Sequence, residues 1–577
     1  MPFKSLQPDI DLPTDLTIWD WLFTSPTYSP LQKHAPNELA GYLNAITKER
    51  LSYAQVKDVA THVSTALHEK YGFASGDTVA LFSQNSIWYP VAMLATLRIG
   101  GVVSGASPAY NVEEMTYALK TSGARFLMTH PASLKVAVEA AENAGIPKEN
   151  LFLLEGQMDG FTTIQELAGI GKKEESQVES FRIPAGKRNG DVCGFLSFSS
   201  GTTGLPKAVM ISHQNVIAQC LQVQQLTPDD HKRVLAVLPL FHITGLVHVL
   251  HLPVLINAEV IMLPSFSMST MLDAISTYKI AEVLLVPPIL IRLVRDPIVD
   301  SYDLKCIKRF SSGAAPLSPE ILSLLQKKFP QTGFKQGYGM TESCSCITSH
   351  PPQFYDYKYA HTVGRICAST TVKIMLPDGT ETTQTNEPGE ILAKGPQIVM
   401  GYLNNASATR ENFDADGYLH TGDLGSISDE GIVAILDRLK EMIKVKGIAV
   451  APAELEDLLL GHPAVEDVAV LGIPDEYRGE VPKAYVVLRL NQNQNQDEDA
   501  YKATGRLLLA YVRDNKVRHK HVKEIEFASA IPKSASGKIL RRVLRDQARA
   551  EARGGAVVRD DDGGRDGEGL GGVKAKL

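Results

Sequence analysis

Short apolar runs alternate with amphipathic segments along most of the chain. The runs have the length of buried strands, and the segments between them carry apolar residues at helical spacing. Examples of the runs are Thr78–Phe82, Val234–Leu238, Glu282–Val286 and Lys373–Leu376, and examples of the helical segments are Leu134–Ala144 and Pro319–Lys328. Helices that alternate with strands cover the faces of largely parallel sheets. The sequence therefore predicts an α/β fold.

The chain is too long for one hydrophobic core. At roughly 100–200 residues per domain, its 577 residues indicate several domains or subdomains. Around 423–443 the regular alternation gives way to short strand patterns, and a charged, helix-rich region follows from Pro452. From about Arg549 the chain is rich in Gly, Asp, Glu and Arg and has too few large apolar residues to fold. We predict a large N-terminal domain over 1–437, a small C-terminal domain over 438–548 and a disordered tail over 549–577.

The composition excludes several classes of protein. The balance of 58 Lys and Arg against 65 Asp and Glu gives a net charge of −7, which argues against nucleic acid as the main partner. The most apolar stretches, 246–263 and 280–294, are interrupted by polar or charged residues. A transmembrane helix needs roughly 20 mostly apolar residues, so we predict no membrane span. The six cysteines are scattered, which favours reduced thiols over a disulfide framework.

One glycine- and hydroxyl-rich segment has the properties of a phosphate-binding loop. Residues 196–207 read LSFSSGTTGLPK and lie between an apolar run and a helical segment that begins near His213. Glycines let backbone N–H groups approach an anion, hydroxyls donate hydrogen bonds, and Lys207 adds a positive charge. A Walker A loop is excluded, because Pro206 precedes the lysine and Ala208 follows it. The predicted phosphate-contacting residues are Ser199, Ser200, Gly201, Thr202, Thr203, Gly204 and Lys207.

The string SSGTTGLPK at 199–207 resembles the signature loop of the adenylate-forming superfamily, which includes acyl- and aryl-CoA synthetases, peptide synthetase adenylation domains and beetle luciferases. Further segments resemble motifs of that family in the same order. They are SGAAPL at 312–317 and QGYGMTE at 336–342 for the adenine-binding strands, YLHTGD at 418–423 for the ribose, DRLKEMIK at 437–444 for the hinge and IPKSASGK at 531–538 for the C-terminal lysine loop. The resemblance covers roughly residues 15–548 and is closest to 4-coumarate–CoA ligases and fungal phenylacetate and aryl- or acyl-CoA ligases.

This resemblance implies an acid–CoA ligase with layered α/β subdomains in a large N-terminal domain and a small α+β C-terminal domain that rotates about a hinge. It implies ATP, Mg²⁺ and coenzyme A as cofactors and cosubstrates and a small carboxylic acid as substrate. Glu342 is the implied Mg²⁺ ligand, because Mg²⁺ is held by one or two carboxylates together with phosphate oxygens. The implied nucleotide contacts beyond the phosphate loop are Ala314, Gln336, Gly337, Tyr338, Thr341, Asp423, Arg438, Lys444 and Lys538.

The same resemblance assigns roles in catalysis and in the second half-reaction. Lys538 stabilises the charge that develops during adenylation, and Lys440 is the hinge residue about which the C-terminal domain rotates. Lys446 and Gly447 match a CoA-contacting pair. The implied catalytic set is Lys538, Thr341, Glu342, Lys207 and His242.

The implied acyl pocket departs from that of the 4-coumarate ligases. His242 falls at the position of an aromatic or His gate, and Thr244 stands where those ligases carry a Tyr. The expected pocket residues are His242, Ile243, Thr244, His248, Ala314, Ala315, Gly337, Ser345 and Cys346. Small residues at several of these positions predict a pocket of a different shape, suited to an aryl, medium-chain or branched acid. Zinc is improbable at His248 and His251, because no third ligand accompanies them.

Other readings of the sequence remain open. In a first alternative, the enzyme passes the acyl adenylate to a carrier-protein thiol or oxidises it as luciferases do. In a second, the chain is a non-catalytic homologue that binds adenylate. The chain ends Ala575-Lys576-Leu577, a close variant of the S-K-L address that the peroxisomal import receptor reads. We therefore expect that receptor as a partner and the peroxisome as the location, with the cytosol as the alternative.

Overall fold

The computed structural model describes residues 2–199, 205–313, 317, 319–489, 498–534, 537–550 and 555–560. The chain divides into two compact units. The N-terminal unit comprises 1–315 and 324–435, and the C-terminal unit comprises 316–323 and 436–577. This division falls at 435/436, beside the domain boundary at 437/438 that the sequence predicted.

The N-terminal unit contains four sheets, and the largest, sheet A, has eight strands. Six of the eight are joined by parallel pairings, as expected for alternating strands and helices. In spatial order its strands are Gly401–Tyr402, Lys207–Ser212, Cys193–Ser199, Val102–Ala106, Thr78–Phe82, Ala124–Thr129, Leu151–Leu153 and Thr162–Thr163.

Sheet B carries the segment 336–340 and has five strands. Its first three strands are parallel, and the last two are antiparallel to their neighbours. In spatial order they are Glu282–Leu285, Arg309–Ser312, Gly333–Met340, Ser345–Ser349 and Arg365–Ile366.

Two further sheets, of four and six strands, lie in the described part of this unit. Sheet C has the order Arg233–Ala236, Glu259–Met262, Gly41–Asn44 and Arg50–Ser52. Sheet D has the order Phe3–Lys4, Thr371–Met375, Gly389–Lys394, Leu419–Ile427 and Val433–Arg438, with Glu381–Thr382 paired to Thr371–Met375. The α-helices are Ile18–Phe23, Pro30–Lys33, Tyr53–Tyr71, Tyr89–Arg98, Val112–Ser122, Leu134–Ala144, Ile164–Gly171, His213–Gln224, Ile243–Gly245, Leu252–Leu255, Met268–Tyr278, Pro287–Arg295, Pro319–Lys328 and Ala406–Asn412, with Leu246–His251 π-helical.

The C-terminal unit is an α+β structure around one sheet, sheet E. Its strands are Ile448–Val450, Ile443–Val445, Gly479–Leu488, Glu524–Phe527 and Val557–Arg559 in spatial order, with Val465–Asp475 paired to Gly479–Leu488. Its helices are Pro452–Leu460, Glu498–Asn515 and Arg541–Arg549. The helices and strands enclose a core of Val, Leu and Ile side chains.

Local sequence signals explain where the helices begin and end. The helix Tyr53–Tyr71 starts at Ser52, whose hydroxyl accepts a hydrogen bond from the Gln55 backbone N–H at 3.2 Å. It ends at Gly72, whose φ of 63° is favourable only for a residue without a Cβ. No helix in the described part of the chain combines the length and the apolarity needed to cross a bilayer.

The structure confirms the predicted α/β class, and the helices Leu134–Ala144 and Pro319–Lys328 have the predicted bounds. The prediction of disorder from 549 onward is wrong for part of the tail. Val557–Arg559 form a strand antiparallel to Glu524–Phe527 and bury Val558. Composition missed this strand because three residues that complete an existing sheet hardly change the average of a Gly- and Asp-rich segment. Residues 561–577, including the C-terminal tripeptide, lie outside the described residues.

Candidate active site

A buried carboxylate lies next to the strands that flank the predicted phosphate loop. Glu342 is in the short helical turn Thr341–Ser343 and is 9% exposed. Its Oε1 accepts hydrogen bonds from the Ser199 hydroxyl at 2.7 Å and from the Tyr402 hydroxyl at 3.0 Å. Both bonds go to Oε1, and Oε2 accepts no hydrogen bond from the described residues, which makes it the oxygen able to bind a cation. Burial, together with the charge of Glu342, raises the pKa of Tyr402, which therefore stays a neutral donor.

Lys207 belongs to the same cluster. The strands Cys193–Ser199 and Lys207–Ser212 pair antiparallel, with Ser199 opposite Lys207, so the loop predicted to bind phosphate connects the two strands of a hairpin. The Lys207 Nζ lies 5.0 Å from the centroid of the Tyr402 ring. The predicted contacts Ser200, Gly201, Thr202, Thr203 and Gly204 lie outside the described residues, as do Ala314 and Ala315.

The predicted ribose carboxylate is joined to the predicted adenine strand. The Tyr338 hydroxyl donates to Asp423 Oδ2 at 2.7 Å, and Asp423 is 3% exposed. Gly422 has a φ of 70°, and its N–H donates to Glu390 Oε1 at 3.1 Å. The structure therefore brings the two predicted nucleotide contacts Tyr338 and Asp423 together and adds Glu390 as the residue that holds the bend.

Gln336 is fixed by a histidine that the sequence analysis missed. The backbone N–H of Gln336 donates to His350 Nδ1 at 2.9 Å, and the backbone N–H of His350 donates to the Gln336 carbonyl at 3.0 Å. The side-chain Oε1 of Gln336 is buried and accepts no hydrogen bond from the described residues. A buried acceptor without a protein donor is suited to a ligand N–H group such as an exocyclic amine.

Several predicted acyl-pocket residues are in contact with one another. His248 Nε2 lies 3.0 Å from the Ser345 hydroxyl and 3.9 Å from the Cys346 thiol. A Cβ on Gly337 would lie 3.3 Å from Cys346 Sγ, so a larger residue there would have to displace the wall. His251 instead lies in the core, where its Nδ1 is 2.6 Å from the Leu246 carbonyl. The two histidines therefore have different surroundings.

The predicted gate residues start the helical segment that carries His248. His242 caps this segment, and its Nδ1 accepts the backbone N–H of Thr244 at 3.4 Å. Asn85, which the sequence analysis missed, supports the preceding loop. Its Oδ1 accepts the Leu240 N–H at 3.1 Å, and its Nδ2 donates to the Leu238 carbonyl at 3.0 Å.

The remaining predicted residues lie in the C-terminal unit. Lys440 is in the turn that follows the strand Val433–Arg438, and Lys444 is on the strand Ile443–Val445. Lys446 and Gly447 both have a positive φ, of 51° and 80°, and form a tight turn. The Lys446 Nζ lies 4.2 Å from the centroid of the exposed Tyr477 ring.

The lysine loop is anchored within its own unit by Arg541, which no motif of the sequence analysis included. The Lys538 N–H donates to the Ser534 hydroxyl at 3.2 Å. Three residues later, Arg541 donates to Glu441 Oε2 at 2.8 Å and to both oxygens of Glu456 at 2.6 Å. Arg541 therefore links the lysine loop to the residue next to the predicted hinge.

The residues at Glu342 fit a magnesium ion bound together with a nucleotide. The described residues contain no group of three or more His, Cys, Asp or Glu side chains able to hold a metal alone. A single carboxylate oxygen beside a phosphate loop needs no such group, since Mg²⁺ takes its other ligands from phosphate and water.

Known proteins resemble this chain in sequence and in fold. The family model for the AMP-binding enzyme matches residues 33–403, and that for the AMP-binding enzyme C-terminal domain matches 454–538. The 4-coumarate–CoA ligase-like 1 of Arabidopsis thaliana is 33% identical over 555 residues, covering 94% of this chain and 96% of its own. The 4-coumarate–CoA ligase 2 of Oryza sativa subsp. japonica is 34% identical over 560 residues, covering 94% of each chain.

Solved structures agree. The anthranilate CoA ligase AuaEII in complex with anthranoyl-AMP has a TM-score of 0.81 at 24% identity, covering 94% of this chain and 99% of that chain. The o-succinylbenzoate CoA synthetase of Bacillus subtilis in complex with its acyl-adenylate has a TM-score of 0.76 at 26% identity, with the same coverage. The two-unit fold and the residues grouped around Glu342 and Asp423 define an adenylate-forming enzyme. The chain belongs to the AMP-binding enzyme family, and the predicted membership is confirmed.

Proposed function

We propose that this enzyme is an ATP-dependent acid–CoA ligase. A carboxylic acid reacts with ATP to give an acyl adenylate and pyrophosphate, and coenzyme A then gives the acyl-CoA and AMP. The observation that supports this most strongly is the buried Glu342 carboxylate, bonded to Ser199 and Tyr402 beside the phosphate loop. The relatives named as CoA ligases match nearly the whole chain, which supports CoA as the acceptor.

In the first half-reaction an oxygen of the substrate carboxylate bonds to the α-phosphorus while the bond to the pyrophosphate breaks. Two anions must approach each other, so positive charge and N–H or O–H donors must be in place beforehand. We assign Lys207 and the phosphate loop to the β- and γ-phosphates, the Thr341 hydroxyl to the α-phosphate and Lys538 to the reacting oxygens. Asp423 accepts from the ribose hydroxyls, and Arg438 and Lys444 contact the nucleotide.

Glu342 would hold Mg²⁺ here through Oε2, and the ion would supply charge neutralisation on the phosphates when bound. The Ser199 and Tyr402 hydroxyls keep the carboxylate oriented, because each donates to its other oxygen.

In the second half-reaction the CoA thiol attacks the carbonyl carbon, and the bond to the AMP oxygen breaks. We propose that the C-terminal unit rotates about Lys440 between the two steps, so that Lys446 and Gly447 approach the thiol substrate. Arg541 would keep the turn at Glu441 and the lysine loop together during this motion, because one guanidinium bonds to Glu441 and Glu456.

The test is an exchange assay followed by a thioester assay. Exchange of labelled pyrophosphate into ATP is measured across cinnamates, phenylacetates, medium-chain acids and branched hydroxy acids. We expect acid-dependent exchange for at least one aryl, medium-chain or branched acid. Addition of CoA should then yield a thioester. No exchange with any acid would support the non-catalytic alternative, and exchange without a thioester would support transfer to a carrier protein.

We further propose that the protein works in the peroxisome, in acid catabolism or secondary metabolism. The proposal rests on the C-terminal Ala575-Lys576-Leu577, which the import receptor would bind at the free carboxylate. A fluorescent protein fused to the N-terminus leaves Leu577 free. Punctate signal that becomes diffuse when the last three residues are deleted is expected. Diffuse signal from the intact chain would mean that the protein is not peroxisomal. Punctate signal that survives the deletion would mean that the last three residues are not the import signal.

A further inference from the structure

Three charged side chains are buried together at the start of the parallel strands of sheet B. Glu282, Arg309 and Lys335 are each between 5% and 7% exposed. Arg309 Nε lies 2.5 Å from Glu282 Oε2, and Lys335 Nζ lies 3.4 Å from Glu282 Oε1. Arg309 also donates to Asp230 at 2.8 Å. We call Glu282, Arg309 and Lys335 the charged cluster. The mechanism above uses none of its members.

The charged cluster lies on the face of sheet B that carries the predicted acyl-pocket residues. Side chains two residues apart on a strand point to the same face of the sheet, so Lys335 and Gly337 lie on the same face. The antiparallel pairing of Gly339 with Cys346 puts the Cys346 thiol on that face too. In the parallel pairings Glu282 is opposite Arg309, and Ser311 is opposite Lys335. The same face therefore carries Gly337, next to the predicted nucleotide contacts, and the charged cluster.

A further polar side chain, that of His248, lies against this part of sheet B. His248 Nε2 contacts Ser345 Oγ at 3.0 Å and Cys346 Sγ at 3.9 Å. Burial, and secondly the positive charge of Lys335, lowers the pKa of His248 to about 4, so its ring is neutral near pH 7. Lys335 is charged, because Glu282 raises its pKa although burial opposes this.

Buried charges are costly for a fold. Replacing such a cluster by apolar residues of similar volume is often neutral or stabilising. We therefore infer that the charged cluster serves a purpose other than stability. A pocket for a plain alkyl chain or an unsubstituted ring gains nothing from an ammonium group and an imidazole at its far end, because burying polar groups beside apolar substrate leaves their hydrogen bonds unmade.

We propose that the far end of the acyl site binds an oxygen substituent of the acid, a second carboxylate or a hydroxyl, with Lys335 and His248 as the groups that recognise it. This inference rests on the proposed function. An ammonium group has three N–H donors, and among the described residues the Lys335 ammonium donates to Glu282 Oε1 at 3.4 Å. A further N–H can then donate to a substrate oxygen. Lys335 is thereby a specificity-determining residue.

Two matched pairs of acids test the proposal. The pairs are 4-hydroxycinnamate with 4-methylcinnamate, and hexanedioate with 6-methylheptanoate, in which a methyl or isopropyl group replaces the oxygen function at similar size. We expect kcat/KM for AMP formation to favour the oxygen-bearing member of at least one pair by tenfold or more. The first pair reports recognition of a hydroxyl and the second recognition of a carboxylate.

The variant Lys335→Met should remove that preference while adenylation of the apolar member is retained or improved. The double variant Lys335→Met with Glu282→Gln avoids leaving the Glu282 carboxylate short of a cation and guards against misfolding. Lys328→Met is the control, because Lys328 forms an ion pair with Asp300, which is not a member of the charged cluster. It should keep the wild-type ratios.

A ratio near one for both pairs in the wild type, or a ratio unchanged in both Lys335 variants, would overturn the proposal. These outcomes differ from failure of the proposed function. If no acid of any kind supports AMP formation, the enzyme is not a ligase. If apolar acids are adenylated as well as their oxygen-bearing partners, the ligase function stands and the assignment of Lys335 is wrong.

Discussion

The Tyr402 hydroxyl donates a hydrogen bond to the Glu342 carboxylate at 3.0 Å, across 60 residues of sequence. Tyr402 pairs with Val209 on the strand that begins at Lys207, and the Lys207 ammonium lies near its ring. One phenol therefore connects the carboxylate assigned to Mg²⁺ with the strand that follows the phosphate loop. The arrangement makes Tyr402 a positioning residue for adenylation.

Tyr402→Phe removes one of two donors to Glu342 and keeps the ring. A hydrogen bond to a charged group contributes roughly 1.5–3 kcal/mol, so we expect adenylation to slow by about tenfold to 100-fold. The Mg²⁺ concentration for half-maximal pyrophosphate exchange should rise as well. Tyr357→Phe is the control, since it also removes one tyrosine hydroxyl, which lies 3.0 Å from the Thr332 hydroxyl. Equal loss in both variants would mean that Tyr402 only supports the fold.

Lys538→Ala should separate the two half-reactions. If Lys538 stabilises charge only during adenylation, acyl-AMP formation should fall by at least about 100-fold. Thioester formation from supplied acyl-AMP should be largely unchanged. Both reactions are followed by mass spectrometry of the products. Similar losses in both half-reactions would contradict the assigned role.

Lys440→Pro should give the opposite pattern. Proline fixes φ near roughly −65° and prevents the torsional change that the hinge requires. Adenylation should continue while transfer to CoA fails, and Lys440→Ala, which keeps the torsion free, should retain both. A wild-type overall rate in the proline variant would remove Lys440 as the hinge.

Thr244→Tyr tests the acyl pocket from the gate side. Thr244 lies two residues after the cap residue His242 and is half-buried, so the variant replaces a small side chain beside the gate by a ring. We expect the preference to shift toward smaller or flatter acids. The quantity to compare is kcat/KM across the acid panel. An unchanged rank order would show that Thr244 does not line the acyl site.

Asp457→Asn should change how stability depends on pH. Burial first, and then the charge of Glu456, raises the pKa of Asp457 to about 7 in the folded chain. In the unfolded chain the pKa of this carboxyl is near the ordinary aspartate value of about 3.8. Between these values the folded state binds more protons, so stability falls as pH rises from about 4 to about 7.

The Asp457→Asn variant removes the titrating carboxyl group. It should gain about 1–2 kcal/mol relative to wild type at pH 8 and little at pH 4, as measured by thermal unfolding of the full chain. Asp514→Asn, at an exposed helical position, is the matched control. A gain that is the same at both pH values would contradict the titration of Asp457.

Regular elements could be predicted well from local sequence, because apolar periodicity and helix caps act over a few residues. Leu134–Ala144 is an example. The motif residues Glu342, Asp423 and Tyr338 could be predicted from the resemblance. Tyr402 and His350 could not, because their importance depends on pairings between strands.

The charged cluster was missed for a similar reason. Glu282, Arg309 and Lys335 are far apart in sequence, and each lies in a run that otherwise indicates a buried strand. Only the parallel register brings them together. The strand Val557–Arg559 could not be predicted from composition, because a short strand that adds to an existing sheet needs few apolar residues of its own.

Isotope transfer from the acid to AMP tests the central claim most directly. An acid that supports exchange is labelled with ¹⁸O in its carboxylate and incubated with ATP, Mg²⁺, CoA and the enzyme, and AMP is analysed by mass spectrometry. If the carboxylate attacks the α-phosphorus and the thiol then displaces AMP at the carbonyl carbon, AMP must carry one ¹⁸O per thioester formed. Thioester formation with unlabelled AMP, or with the label in inorganic phosphate beside ADP, would contradict an acyl-adenylate mechanism.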